Sequence, residues 1–253
     1  MIIRNDNITE ATIAGVPAFT PANFRNLGDW WNTSYGVQLS GTDVNSWVGI
    51  NGNVFTPVHP EYKSIYESSD ADFNGLPSIS INPNGVDVGY TASVISGNTN
   101  KTYLLVVKML TTSNENSIGL MNAIADPTMR AGVLSSNGMV WFLTDNTPGG
   151  SNNVTAISAN AGQYVTTMVN YTKSLGTLNW YTSNTSSLPL TPTFISPNRT
   201  TSLSFDIFSF GWYIGIGVSA ARYKIVEYIV INGTPTDEEI TSFNSYVANT
   251  YGF

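Results

Sequence analysis

The sequence predicts an all-β protein, a two-sheet antiparallel sandwich closed by one short C-terminal helix. Three observations predict it. Short runs of apolar and β-branched residues alternate with Asn-, Ser- and Gly-rich turns along most of the chain. Apolar residues at helical spacing occur only near the C-terminus. Of the 253 residues, 42% are hydrophobic, enough for one large core.

The elements follow in chain order. Residues 1–20, with Pro17 and Pro21 at their end, read as an N-terminal arm or an extra edge strand, and residues 21–253 as one domain. The segment 19–50 carries Trp30, Trp31 and Trp47, which are assigned to the core. Tyr103 to Leu110 (YLLVVKML) is almost wholly apolar and predicts a central strand. Ala131 to Leu134 and Met139 to Leu143 flank Ser136-Asn137-Gly138, where Asn-Gly supplies the positive φ of a tight hairpin. Gln163 to Tyr171 and Thr177 to Thr182 flank Ser174-Leu175-Gly176 in the same way, and Ser202 to Ile207 and Trp212 to Val218 predict two further strands.

Tyr223 to Ile231 predicts a strand buried on at least one face, and Asn232-Gly233 turns the chain. Thr236 and Glu239 have capping-box spacing, and Asp237 and Glu238 place negative charge at the positive end of the helix dipole. Ile240, Phe243, Tyr246, Val247 and Thr250 or Tyr251 then form one apolar stripe, and Gly252 closes the helix, predicted over 237–250.

The ending, with Glu227, Ile229, Gly233, Asp237, Glu239, Ile240, Tyr246, Tyr251 and Gly252, resembles the C-terminal strand, turn and helix of concanavalin A-like, laminin-G-like jelly-roll domains. The opening FTPANFRNLGDWWNTSYGVQLSGTDVNSWVGI and the later DFNGLPSISIN are similar to the same family's N-terminal pattern, so the resemblance covers roughly residues 19–253. One departure is that Pro77, Ile79 and Ile81 keep the apolar alternation but replace an aromatic residue with a branched one. Domains with this opening and ending occur in bacteriophage structural and adhesion proteins and in bacterial surface proteins, so the resemblance implies such a role.

Composition bounds the function. Charged residues are only 11% of the chain, the net charge is −7 and the pI is near 4.5. With no basic cluster, binding to nucleic acid or to an anionic membrane is opposed by repulsion. No apolar run approaches the roughly 20 residues of a membrane span, which argues against insertion. The absence of cysteine excludes disulfides and thiolate zinc sites. Met1-Ile2-Ile3 is interrupted by Arg4, Asn5 and Asp6, which does not read as a secretory signal. The expectation is a protein made in a host cytoplasm and displayed on a virion surface. A processed bacterial surface protein would give the same chain. Asn-x-Ser/Thr triplets such as those at Asn153, Asn170 and Asn184 follow from composition and do not establish glycosylation.

Catalysis has few candidates. His59, the single histidine, lies between Val58 and Pro60 in a turn-like segment, where it makes a poor triad base. No E-x-D-x-E triplet, the strand arrangement that places two carboxylates about a glycosidic bond, is present. Glu227 stands alone in its strand and reads as a structural hydrogen-bonding residue. No catalytic residue is assigned, and the chain is expected not to be an enzyme.

Binding has more. Sugars stack on aromatic faces while amides and carboxylates take their hydroxyls, and the chain has 6 Trp and 13 Tyr. Trp141 with Asp145, Trp180 with Tyr181, and Trp212 are the carbohydrate-binding candidates. Alternation puts Trp180 and Tyr181 on opposite faces, so only one can join a given site. The family resemblance also implies that calcium is possible, and Asp70, Asp72 and Asn74 could present loop oxygens together. An ordinary solvated turn explains the same run.

The expected function is a non-catalytic virion surface protein, such as a capsid decoration, head-fibre or tail-appendage component. It would bind host-surface polysaccharide or pack against neighbouring subunits, including further copies of itself. The alternative is a carbohydrate-active enzyme or its binding module from a bacterial surface protein.

Overall fold

A computed structural model describes residues 19–57, 63–81, 90–93, 100–110, 115–121, 129–135, 139–145, 151–157, 162–172, 177–195, 207–210 and 222–253. Strands at 90–93, 115–121, 129–135, 139–145, 151–157 and 207–210 are described by their backbone pairing.

The strands in the first part of the chain are β1 (Leu27–Asn32), β2 (Val37–Ser40), β3 (Asp43–Val48), β4 (Val54–Pro57), β5 (Ile65–Glu67), β6 (Ser78–Ile81) and β7 (Tyr90–Ser93). The central ones are β8 (Lys101–Met109), β9 (Glu115–Met121), β10 (Met129–Ser135), β11 (Met139–Asp145), β12 (Ser151–Ile157), β13 (Tyr164–Thr172) and β14 (Thr177–Ser183). The short β15 (Phe194–Ile195) and β16 (Ile207–Phe210) precede β17 (Tyr223–Asn232), and the single helix of the described residues, α1 (Asp237–Tyr251), ends the chain.

Every pairing among them is antiparallel. One sheet runs β15-β14-β13-β8-β17, and β17 then pairs with β6 through Tyr223–Ile225 and with β1 through Leu27–Asn32. The other runs β12-β11-β10-β9-β16-β7-β4. β4 joins them, because it pairs with β3 on one side and β7 on the other. The expected all-β sandwich with one terminal helix is thus the observed architecture.

The apolar run expected over 103–110 is the central strand β8, buried along nearly all its length between β13 and β17. Both predicted hairpins form: Ser135 pairs with Met139, and Thr172 with Thr177. Of the next two predicted strands, only Ile207 onward is described, as β16; Ser202 to Asp206 and Trp212 to Val218 lie outside the described residues, as do Met1 to Ala18 and His59.

α1 lies on the outer face of the first sheet. Ile240, Phe243, Val247 and Tyr251 pack on Val226, Ile229, Ile231, Leu104, Val106 and Met168. Its N-terminus is the predicted capping box: Thr236 Oγ1 accepts the Glu239 N–H at 3.2 Å, and Glu239 Oε2 accepts the Thr236 N–H at 2.8 Å. Glu239 also accepts the Arg25 N–H at 2.8 Å, which ties the helix start to the N-terminal segment. Gly252 ends the helix at φ 76°, a left-handed conformation that glycine adopts without steric cost.

The opposite face of this sheet is buried as well. Trp31, Phe55 and Tyr228 form an aromatic group with centroids 4.8 to 5.5 Å apart, and Trp47 lies 6.2 Å from Phe55. The central strands β8 and β17 therefore carry buried side chains on both faces.

Candidate functional site

Three polar constructions stand out against this apolar frame. The first is Glu227 on β17. A register shift between Ile225 and Glu227 turns both Val226 and Glu227 toward α1. The Glu227 carboxylate has no exposed surface, yet it accepts four hydrogen bonds. Donors are the indole N–H of Trp30, the Asn32 amide at 2.7 Å, and the hydroxyls of Tyr246 and Tyr251, each at 2.5 Å. Burial pushes its pKa up to about 7 against the downward pull of these donors. Burial and the nearby Glu227 charge hold the Tyr246 and Tyr251 hydroxyls well above the usual tyrosine range. This carboxylate cross-links β1, β17 and α1, and it is sealed from any substrate.

The second is centred on Lys224, whose ammonium lies 3.0 Å from Glu67, 2.8 Å from Asp70 and 3.2 Å from Asp72. Burial alone would lower it, but the three carboxylates outweigh that and hold its pKa well above the usual lysine range. Asp70 is itself buried: one oxygen caps the short 3-10 turn Ala71–Phe73 by accepting the Asp72 N–H, and the other accepts the Ser78 hydroxyl. Lys108 binds Asp72 from the other side at 2.5 Å and lowers the pKa of that carboxyl.

These are the residues in which the sequence suggested calcium. Asp70 and Asp72 do converge, but on the Lys224 ammonium, which stands where the ion would. Asn74 is at φ 57°, and its amide donates toward the Thr250 carbonyl at 3.5 Å. Among the described residues no group of His, Cys, Asp or Glu side chains is arranged to hold a metal.

The third lies at the turns joining β1 to β2 (residues 33–36) and β3 to β4 (residues 49–53). Asp29 is fully buried, and its carboxylate accepts the backbone N–H groups of Trp30, Asn51 and Asn53 at 2.8, 2.8 and 3.1 Å and the Asn53 amide at 2.6 Å. Asn32 organises the other turn. Its side-chain oxygen accepts the Ser34 N–H at 2.7 Å, and its carbonyl accepts the Tyr35 N–H and the Trp47 indole N–H. The Val48 N–H bonds the Gly36 carbonyl at 3.0 Å and joins the two turns. A side chain at Gly36 would overlap the Val48 carbonyl oxygen, and the φ of +73° there also favours glycine.

Of the carbohydrate-binding candidates, Trp180 is 1% exposed and Tyr181 is 9% exposed, so neither can stack on a sugar. Alternation does send them to opposite faces, as expected. Tyr181 joins the layer under α1, and Trp180 is buried outside that cluster. Both side chains are buried, and the assignment fails for that reason. Trp141 and Asp145 lie on β11, where Trp141 pairs with Val133 and Val154 and Asp145 with Met129. Trp212 lies outside the described residues. The sequence reading missed the Asp29 and Lys224 constructions, whose distant partners are 22 to 157 residues apart.

No protein-family model matches the sequence, and no curated protein matches it. Solved structures do match in fold. A variant of a GH54 α-L-arabinofuranosidase, soaked with 4-nitrophenyl α-L-arabinofuranoside, superposes with a TM-score of 0.62 at 12% identity over 83% of this chain and 51% of that one. Domain 4 of AbnA, an extracellular GH43 arabinanase from Geobacillus stearothermophilus in complex with arabinotriose, gives 0.58 at 12% identity over 87% of this chain and 98% of the domain. Trypanosoma rangeli sialidase in complex with sialic acid gives 0.58 at 12% identity over 92% of this chain and 34% of the enzyme. This chain thus spans about half of the arabinofuranosidase and a third of the sialidase. At these identities the likeness is one of fold, a β-sandwich shared with domains of carbohydrate-active proteins.

Proposed function

We propose that this chain is a non-catalytic carbohydrate-recognition module displayed on a biological surface. The observation that carries the reading is the near-coextensive match to the arabinanase domain in complex with arabinotriose, a unit of the same size and fold. Sandwiches of this kind offer rims and sheet faces on which sugars bind, although fold alone does not fix function. The low charge suits a neutral glycan.

Five of the described carboxylates support the non-catalytic side. Glu227 and Asp29 are buried within hydrogen-bond networks, and Glu67, Asp70 and Asp72 are held by lysines. None of these five is an unpaired acid facing solvent. The opening and closing motifs support placing the module on a bacteriophage particle, as a decoration or appendage protein packed against other subunits. A bacterial surface protein is the alternative carrier.

A glycan array probed with the purified chain, with and without a chelator, tests the reading. Specific binding that survives chelation, with no release of reducing ends from bound polysaccharides, is the expected result. A blank array from folded protein refutes recognition, and released reducing ends refute the non-catalytic assignment.

A further inference from the structure

The two turns described above combine an uncharged surface with a buried polar support. Residues 33–36 read Thr-Ser-Tyr-Gly and residues 49–54 read Gly-Ile-Asn-Gly-Asn-Val, without a charged side chain. Tyr35 is 40% exposed, and it is the one exposed aromatic residue among those whose side chains are described. Ile50 and Val54 are 44% and 40% exposed. Val54 pairs with Val48, Val48 bonds Gly36 beside Tyr35, and the Ile50 N–H bonds the Trp30 carbonyl at 2.9 Å. Tyr35, Ile50 and Val54 are thereby brought onto one rim of the sandwich.

Below this rim the chain buries polar groups to hold the turns still. The Asp29 carboxylate, at 0% exposure, directs all four of its hydrogen bonds to residues 30, 51 and 53, and none to the distant core. The Trp31 indole bonds the Asn53 carbonyl at 3.1 Å, and the Trp47 indole bonds the Asn32 carbonyl at 3.1 Å. Burying a carboxylate is costly unless it is fully hydrogen-bonded. Here that cost is spent on the position of surface turns. Tyr with Ser, Gly and Asn on a rigid support is the composition of recognition loops: the ring gives a large contact at low entropic cost, and the small polar groups adapt their hydrogen bonds.

We infer that the rim formed by residues 33–36 and 49–54 is a binding site for a neutral oligosaccharide, with Tyr35 as its stacking platform and the exposed Asn51 as a hydrogen-bonding group. The occupant is assigned as neutral because the rim presents an aromatic face, aliphatic carbons and amides, and the carboxylate that supports it, Asp29, is enclosed. This inference rests on the carbohydrate-recognition reading and gives it a location.

The test compares the full chain with Tyr35→Ala, Tyr35→Phe and Ile195→Ser, the last at an exposed residue on β15. Each is applied to an array of neutral and acidic oligosaccharides that includes arabinotriose, with thermal melts to confirm folding. The expected result is binding of a neutral oligosaccharide that falls about tenfold in Tyr35→Ala, the order of one lost aromatic contact. Tyr35→Phe should recover most of it, and Ile195→Ser should match the parent chain. Equal binding by Tyr35→Ala and the parent chain overturns the site while leaving carbohydrate recognition standing. Selective binding of acidic sugars overturns the assigned ligand class, and a chain that binds nothing on the array overturns both the site and the recognition reading.

Discussion

Replacing Glu227 tests how this fold holds its helix. In Glu227→Ala, four donors lose their acceptor at once: the Trp30 indole, the Asn32 amide and the hydroxyls of Tyr246 and Tyr251. Leaving a buried donor unsatisfied costs about 1–3 kcal/mol, and breaking a buried network typically costs about 3–5 kcal/mol in all. For a chain of this size about 1 kcal/mol moves the melting temperature by about 2–4 °C, so a fall on the order of 10 °C is expected. Glu227→Gln separates charge from hydrogen bonding. The folded pKa, pushed up to about 7, lies above the ordinary 4.5, so the folded state binds more protons between those values. The stability linked to this proton is full below 4.5 and is lost as pH rises through 7. Over that window the wild type should lose about 3 kcal/mol relative to Glu227→Gln. Urea denaturation of both proteins at pH 4.5 and 7.5 reads the difference directly. Parallel pH dependence would refute the reasoning. A difference of opposite sign would mean that the four donors outweigh burial and keep the carboxylate ionised.

Glu239→Ala removes both the capping box and the acceptor for Arg25, and it should cost about 1–2 kcal/mol, read from the urea midpoint at constant slope. Gly49→Ala would place a methyl group 2.5 Å from the Asp29 carboxyl carbon, which four hydrogen bonds hold in place; a loss of at least about 2 kcal/mol is expected, and an unchanged melting temperature would show that the turn can shift. Lys224→Met leaves Glu67, Asp70 and Asp72 facing one another without their shared cation, and it should destabilise the fold by about 3 kcal/mol at neutral pH. Calcium added to the parent chain should leave its melting temperature unchanged, because the ammonium already occupies the position between the carboxylates.

The parts of this protein that depend on neighbours in the chain were legible in its sequence. Thr236 and Glu239 are three residues apart and satisfy each other's backbone groups, so the start of α1 can be read locally. The stripe of Ile240, Phe243, Val247 and Tyr251 names its buried face, and the apolar density of 103–110 and 223–231 marks the two central strands. The hairpins closing at 135–139 and 172–177 lie where the sequence places Asn-Gly and Ser-Leu-Gly.

What lies over each face was decided only by the tertiary structure. Alternation separates Trp180 from Tyr181, but it cannot say that α1 covers Tyr181 or that both side chains are buried. Asp70 and Asp72 look like loop ligands until the chain returns more than 150 residues later with Lys224 between them. Asp29 and Asn32 look like ordinary polar residues until their partners show that they shape a rim. Side-chain periodicity is set by backbone geometry within a few residues. Charge pairing and exposure depend on which distant segments meet, and a single sequence records no such distances.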